Sequence, residues 1–303
     1  MDHAHAPARP DRPARPDGGE EIPTPAGFRW PGGKRVAVLS GIAFEAWSDG
    51  QWPGLSPMGN PLRPGATDWN AFHWAEYGPR RGMPRILEIL ARRGVTAGVM
   101  VNGVLAERYP DVVRAVAAAG HEIVSHSYAM DVVPVYLDEA RERDNIARTT
   151  ELIERATGVR PVGWISPRGT PSSRTARLLA EAGYDWIAFD YLDDDLPYFL
   201  RFGARVIAVC PGSMEVNDLP LHARHGQPPR AMLAVFEDTL ASLRARDEAG
   251  KIDAIIHAHV FGRPAGIWVY DRILEIAQTA PDLWLGTWGQ AVAHARRLAG
   301  FRS

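Results

Sequence analysis

Short apolar runs alternate with helix-patterned stretches along almost the whole chain, and this alternation constrains the fold more than any single motif. KRVAVLSG (Lys34–Gly41) reads as a first strand. MPRILEILARRG (Met83–Gly94) has helical spacing, with Pro84 in its first turn and Gly94 as its stop. VTAGVMVN, HEIVSHS, PVGWIS, YDWIAFD, ARVIAVC, DAIIHAHV and LWLGT follow as strands. Helical patterns fall between most of them, the longest running from about Leu137 to Thr157. Strands and helices in alternation call for a parallel sheet, and about seven or eight such units favour an α/β barrel over a doubly wound sheet. Runs such as RVAVL, apolar at every position, suit strands buried on both faces.

The expected organisation is a disordered lead-in over residues 1–27 and a single barrel domain over 28–303. An insertion at about 47–77 interrupts it, reads as loop, and carries Trp47, Trp52, Trp69, Phe72, His73, Trp74 and Tyr77. Loops of that length act as lids or binding loops, or are pinned by their own aromatics, or meet a second subunit. A net charge of −2 gives no reason to expect nucleic acid or an anionic membrane as partner. No apolar run approaches the roughly 18–20 residues that span a bilayer. The lead-in has no apolar h-region, so no secretory signal is expected. Cys210 is the sole cysteine, which excludes an intrachain disulfide. The expected compartment is the cytoplasm, and the expected partner is a small-molecule substrate.

Barrel enzymes build their sites at the carboxyl ends of the strands, and ionisable residues recur there in this chain. Glu45 follows the first strand and His126 ends the third. Arg168 follows the fourth. Asp190, Asp193, Asp194 and Asp195 follow the fifth, and Asn217 and Asp218 the sixth. His257 and His259 close the seventh, two residues apart and so expected on one strand face. Each has a plainer reading: a core histidine, a solvated carboxylate, or an aspartate that builds a turn. Their recurrence on one rim favours a site.

These motifs resemble the polysaccharide deacetylase (NodB-homology) superfamily from about Lys34 to Leu298. GHEIVSHSYAMD resembles the family's GHEIxxHxxxH segment, and IIHAHVFGRP its closing HPHxxGRP segment. SGIAFEAW stands in place of a Thr-Phe-Asp-Asp-Gly run. YGPRRGMPRILEILARRGV, SPRGTPSSRTARLL and DYLDDDLPY are similar to the branch of cofactor-free allantoinases and cyclic imide hydrolases. The resemblance implies a distorted (β/α) barrel, a hydrolase of non-peptide C–N bonds, and a homo-oligomer, as in the tetramers of that branch.

Metal-dependent members hold zinc with an aspartate and the two histidines of H-x-x-x-H, beside an aspartate base. By that resemblance Glu45 stands at the ligand carboxylate, Ala43 at the base and His126 at the first histidine, while Met130 replaces the second. A thioether is a poor zinc donor. Asp131, one residue along a helix, would point about 100° away. No cofactor is therefore expected; zinc, held by Glu45 and His126, is the alternative. Cyclic imides and ureides suit a metal-free enzyme, because the departing nitrogen is conjugated to a second carbonyl.

The expected catalytic set is Glu45 and His126 on the attacking water, His257 as proton donor and Arg168 on the oxyanion. The expected substrate contacts are Trp47, Tyr77, Arg80, Tyr128, Asp193 and His259. Rival readings are a zinc-dependent deacetylase of an N-acyl sugar or similar small N-acyl compound, and a non-catalytic ligand-binding barrel.

Overall fold

A computed structural model describes residues 18–54, 56, 62–63, 65–192 and 196–301. Its strands are β1 (Glu20–Ile22), β2 (Val36–Phe44), β3 (Gly98–Val101), β4 (Glu122–Ser125), β5 (Gly163–Trp164), β6 (Trp186–Leu192), β7 (Tyr198–Phe202), β8 (Arg205–Gly212), β9 (Gly250–His257) and β10 (Leu283–Gly286). Its α-helices are α1 (Trp69–Tyr77), α2 (Met83–Arg93), α3 (Gly103–Arg108), α4 (Pro110–Ala118), α5 (Glu139–Thr157), α6 (Thr175–Glu181), α7 (Arg230–Arg244), α8 (Ile267–Thr279) and α9 (Trp288–Leu298). Among the described residues no helix is long and apolar enough to cross a membrane.

β2 organises the sheet, and every one of its residues is buried. Its first half pairs in parallel with β10 and its second half with β3, while β9 runs along its other edge. From β3 the order continues through β4, β5, β6 and β8, all in parallel. The ring comes round to β9 through a lone bridge between Asn217, just past β8, and Ile255. The fold is thus a distorted (β/α) barrel with one thin joint.

Period two sorts the side chains. Val36, Val38, Ile42 and Phe44 face the helical layer and join one large core cluster. Ala37, Leu39 and Ala43 face the barrel interior with Met100, Val124, Ile165, Trp186 and Ile255. Gly41 and Gly98 have no side chain because the Trp288 ring fills the space where a methyl would stand. That indole donates to Asp253 Oδ1 at 2.9 Å, and Lys251 Nζ lies 2.6 Å from Asp253 Oδ2 with both side chains wholly buried. The amino end of the barrel is closed by this network.

Two regions differ from the sequence expectation. Part of the stretch read as loop is helical: Asp68 caps α1 by accepting from Ala71 N–H at 2.8 Å, and a π-type turn, Gly78–Gly82, runs straight on into α2. Glu20–Ile22, assigned to the lead-in, forms β1 and pairs antiparallel with β7, which in turn pairs antiparallel with β8 across a tight turn. Gly203 takes φ 59° in that turn, which glycine adopts without strain. The parallel sheet therefore carries an antiparallel edge.

Candidate active site

The inward rows of three strands end in ionisable residues. Beyond Ala43 on β2 comes Glu45, beyond Val124 on β4 comes His126, and beyond Ile255 on β9 comes His257. Period two thus carries all three into the mouth of the barrel. Glu45 Oε1 lies 3.6 Å from His126 Nε2 and 3.5 Å from His257 Nε2. All three are almost entirely buried, yet they line a cavity of about 250 Å³ that opens at the carboxyl end.

Neighbouring groups fix each of them. His126 Nδ1–H donates to the Ile165 carbonyl at 2.6 Å, which leaves Nε2 facing Glu45. Asn102, fully buried, accepts from Ala46 N–H at 2.9 Å and donates to the His126 carbonyl, tying the ends of β2 and β4 together. Asp218 Oδ1 lies 2.6 Å from His257 Nδ1, and its other oxygen accepts from the N–H groups of His257 and Phe261 at 2.9 and 3.0 Å. His257 thus sits between two carboxylates.

Charge follows from that arrangement. Burial alone would raise the Glu45 carboxyl, but the His257 charge and hydrogen bonds with both histidines outweigh it and hold it well below the usual carboxylate range. Burial opposes the charge on His257, but Glu45 and Asp218 overcome this and raise its pKa to about 10. At neutral pH the pair is carboxylate and imidazolium. Burial lowers His259 to about 3, so that ring is neutral.

Backbone strain gathers on the same rim. Among the described residues, the non-glycine positions with positive φ are Ser127, Arg168 and Phe189, at 62°, 61° and 59°. Ser127 and Arg168 lie just past the ends of β4 and β5, Phe189 lies where the register of β6 shifts, and Arg168 and Phe189 line the cavity. Such conformations cost of order 1–3 kcal/mol and persist where the surroundings impose them. Two residues before Arg168 the chain is held by Asp190, whose two oxygens accept from Ser166 N–H and Oγ–H, each at 2.8 Å. Burial raises the Asp190 carboxyl to about 7.

The expected substrate contacts fare differently. Among the described residues, Trp47, Tyr77, Arg80, Tyr128 and His259 are not on the cavity wall. Tyr128 donates to Glu107 at 2.8 Å and lies beneath the Arg148 guanidinium. Tyr77 lies beneath Arg263 and accepts from Arg85. Arg80 is exposed. β9 stops at His257, where Asp218 curls the chain into a turn, so His259 leaves the strand face and packs edge-on between Trp47 and Trp74. Asp193 falls outside the described residues. The wall instead includes Ala43, Met130, Phe189, Asn217, Leu219 and Arg224. The sequence reading gave Asp218, Asn102 and Arg224 no role. The place of Asp218 and Asn102 just past strand ends was the available signal, and Arg224 had none.

The donor set at the mouth of the barrel does not suit zinc. Met130 lines the cavity from a turn rather than a helix, and it brings a thioether. Asp131 is engaged elsewhere, accepting from Ser48 N–H at 2.8 Å. Among the described residues no three His, Cys, Asp or Glu side chains are grouped to hold a metal ion. Glu45 and His126 with a thioether fall short of the three nitrogen, oxygen or thiolate ligands that a catalytic zinc takes from its protein.

Comparison with known proteins adds three findings. Residues 75–187 match the family model described as Polysaccharide deacetylase, a span that holds His126 and Arg168. A peptidoglycan deacetylase of Helicobacter pylori is 28% identical over 122 residues, 40% of this chain and 41% of that protein. The chain thus spans about two fifths of that curated relative. Two solved structures cover far more. A "probable Polysaccharide deacetylase" of Pseudomonas aeruginosa PAO1 is 28% identical with TM-score 0.79, covering 90% of this chain and 95% of its own. Puue allantoinase is 28% identical with TM-score 0.80, covering 90% and 94%. The chain thus carries a polysaccharide deacetylase domain match over residues 75–187, and its barrel and these neighbours are consistent with the NodB-homology superfamily.

Proposed function

We propose that the chain is a metal-independent hydrolase that opens a carbon–nitrogen bond in a small cyclic amide, an imide or an allantoin-type ureide. One observation carries the reading: a single Glu45 oxygen stands within 3.6 Å of two imidazole nitrogens on the wall of a small cavity. The likeness to an allantoinase over nine tenths of the chain supports it, as does the misfit of the donor set to zinc.

The chemistry follows from the charges. Glu45 accepts a hydrogen bond from a water and takes its proton as the oxygen bonds to the carbonyl carbon. His126, fixed through Nδ1, orients Glu45 and the water. His257, already protonated, gives its Nε2 proton to the departing nitrogen as the C–N bond breaks. Glu45 and His257, 3.5 Å apart, then return the proton from oxygen to nitrogen and restore the resting pair. Arg168 stabilises the oxyanion, a contribution of about 3–4 kcal/mol for a good donor. Conjugation of the departing nitrogen to a second carbonyl lowers the demand for metal polarisation.

The second reading is a zinc-dependent deacetylase of a small N-acyl compound. It is favoured by the hydrogen bond of His126 Nδ1 to the Ile165 carbonyl, which turns Nε2 toward the cavity where a metal-binding nitrogen would stand. Ring opening of succinimide, allantoin and hydantoin, and deacetylation of N-acetylglucosamine, with and without chelator, separates the two. The expected result is ring opening that survives chelator in protein with well under one zinc per chain. Deacetylation alone, lost to chelator, overturns the reading.

A further inference from the structure

We infer that the substrate carries a carboxylate, and that Arg224 is the residue that reads it. This rests on the ring-opening reading and narrows its substrate class. The charges on the cavity wall are the starting point. Among the described lining residues the only acid is Glu45, which faces the His257 ring that Asp218 holds from its other side. Arg168 and Arg224 remain, both exposed at the mouth of the cavity, and neither guanidinium has an ion-pair or hydrogen-bond partner among the described residues, so solvent covers them until a ligand arrives. Elsewhere the arginines are commonly engaged: Arg143 and Arg177 with Glu139 and Glu181, Arg244 with Asp282, Arg108 with Asp49. Two lone cations therefore face one small opening.

A neutral ring uses one of them. The oxyanion that forms as water attacks gives Arg168 its partner, and a neutral substrate offers Arg224 nothing comparable. Arg224 closes a π-type turn, Leu219–Arg224, and Leu219, Pro220 and Arg224 of that turn all reach the cavity. Such turns are rare and collect at functional sites. The turn begins directly after Asp218, whose carboxylate is fixed to His257 and Phe261, so Arg224 is carried on the segment that positions the proton donor. A planar guanidinium matches a carboxylate in two parallel hydrogen bonds. At about 250 Å³ the cavity is smaller than the roughly 300–1,000 Å³ of drug-sized pockets, which limits the ligand to one small ring and a short acidic arm.

The test uses two probes of nearly equal size and opposite charge state, 5-carboxymethylhydantoin and its neutral amide, 5-carbamoylmethylhydantoin. Ring opening is measured for both with the wild type and with Arg224→Met, and binding of both to the wild type is measured by calorimetry. The expected result is at least a tenfold preference for the acid in kcat/KM and in affinity. Arg224→Met is expected to reduce that preference at least tenfold, and a ratio taken on one preparation is insensitive to any misfolded fraction. Equal handling of acid and amide by the wild type, or a preference that survives Arg224→Met, overturns the inference while ring opening stands. If no cyclic amide is opened at all, the ring-opening reading fails, and calorimetry still decides the inference: tighter binding of the acid sustains it, and equal or weaker binding overturns it.

Discussion

The two ends of the barrel are built from the same inward rows and treat buried charge in opposite ways. At the amino end Lys251 and Asp253 pair at 2.6 Å, with the Trp288 indole and Ser213 completing the aspartate's hydrogen bonds. At the carboxyl end Glu45 and His257 are also opposed charges, yet they stand 3.5 Å apart at the wall of a cavity. Saturated hydrogen bonding makes a charge pair into scaffold, because no valence is left for a ligand. A pair left slightly apart, facing an opening, keeps its proton available. Burial and charge are common to both ends, so neither property by itself marks a site.

Substitutions should separate the ends. Glu45→Gln is expected to lower kcat for ring opening by about 10³-fold or more, within the range a positioned acid–base group supplies, with little change in thermal midpoint. A retained rate would remove the functional half of the contrast. Lys251→Met should do the reverse. Removing one partner of a buried ion pair costs about 3–5 kcal/mol, read by denaturant unfolding, while kcat per folded molecule stays within about twofold.

Asp218→Asn probes the carboxyl end more finely. It is expected to lower kcat about 100-fold, the lower end for a positioned proton donor. His257 must hold its proton to act, and its pKa of about 10 depends in part on Asp218. Wild-type kcat should therefore hold through neutral pH and fall only near that value. In Asp218→Asn the fall should begin at lower pH, and a pH profile that coincides with the wild type would separate Asp218 from the donor's acidity.

The smallest effect belongs to Glu122, near the amino end, whose carboxyl is raised to about 7 chiefly by burial. The folded state then binds more protons than the unfolded chain between about pH 4.5 and 7, so this group makes stability fall as pH rises through that window. Glu122→Gln should flatten the decline by about 1–2 kcal/mol, measured as unfolding free energy at pH 5 and pH 8.

Much of the fold was legible because its signals are local. The periodicity of VAVLSGIAF and the stop at Gly94 translate directly into β2 and α2. β7 was missed because YFLRF follows an aspartate run and reads as part of a loop. α1 was missed because WNAFHWAEY is crowded with aromatics, although its cap, Asp68, was visible. The convergence of Glu45, His126 and His257 was legible because strand ends meet by construction. Trp47, Tyr77 and Tyr128 lie off that cavity wall, because an apolar ring packs as readily on a guanidinium or a histidine as on a ligand. Asp218 lacked a role because its partner lies 39 residues away in sequence.

The thin joint between Asn217 and Ile255 leaves the stretch from Ser213 to Arg224 a stave fastened by few rungs of its own. Its grip comes chiefly from Ser213 on Asp253, and from Asp218 on the backbone of His257 and Phe261. One side chain, Asp218, therefore both pins that stave to its neighbour and seats the imidazole, so the integrity of the vessel's wall and the aim of its proton hang on the same carboxylate.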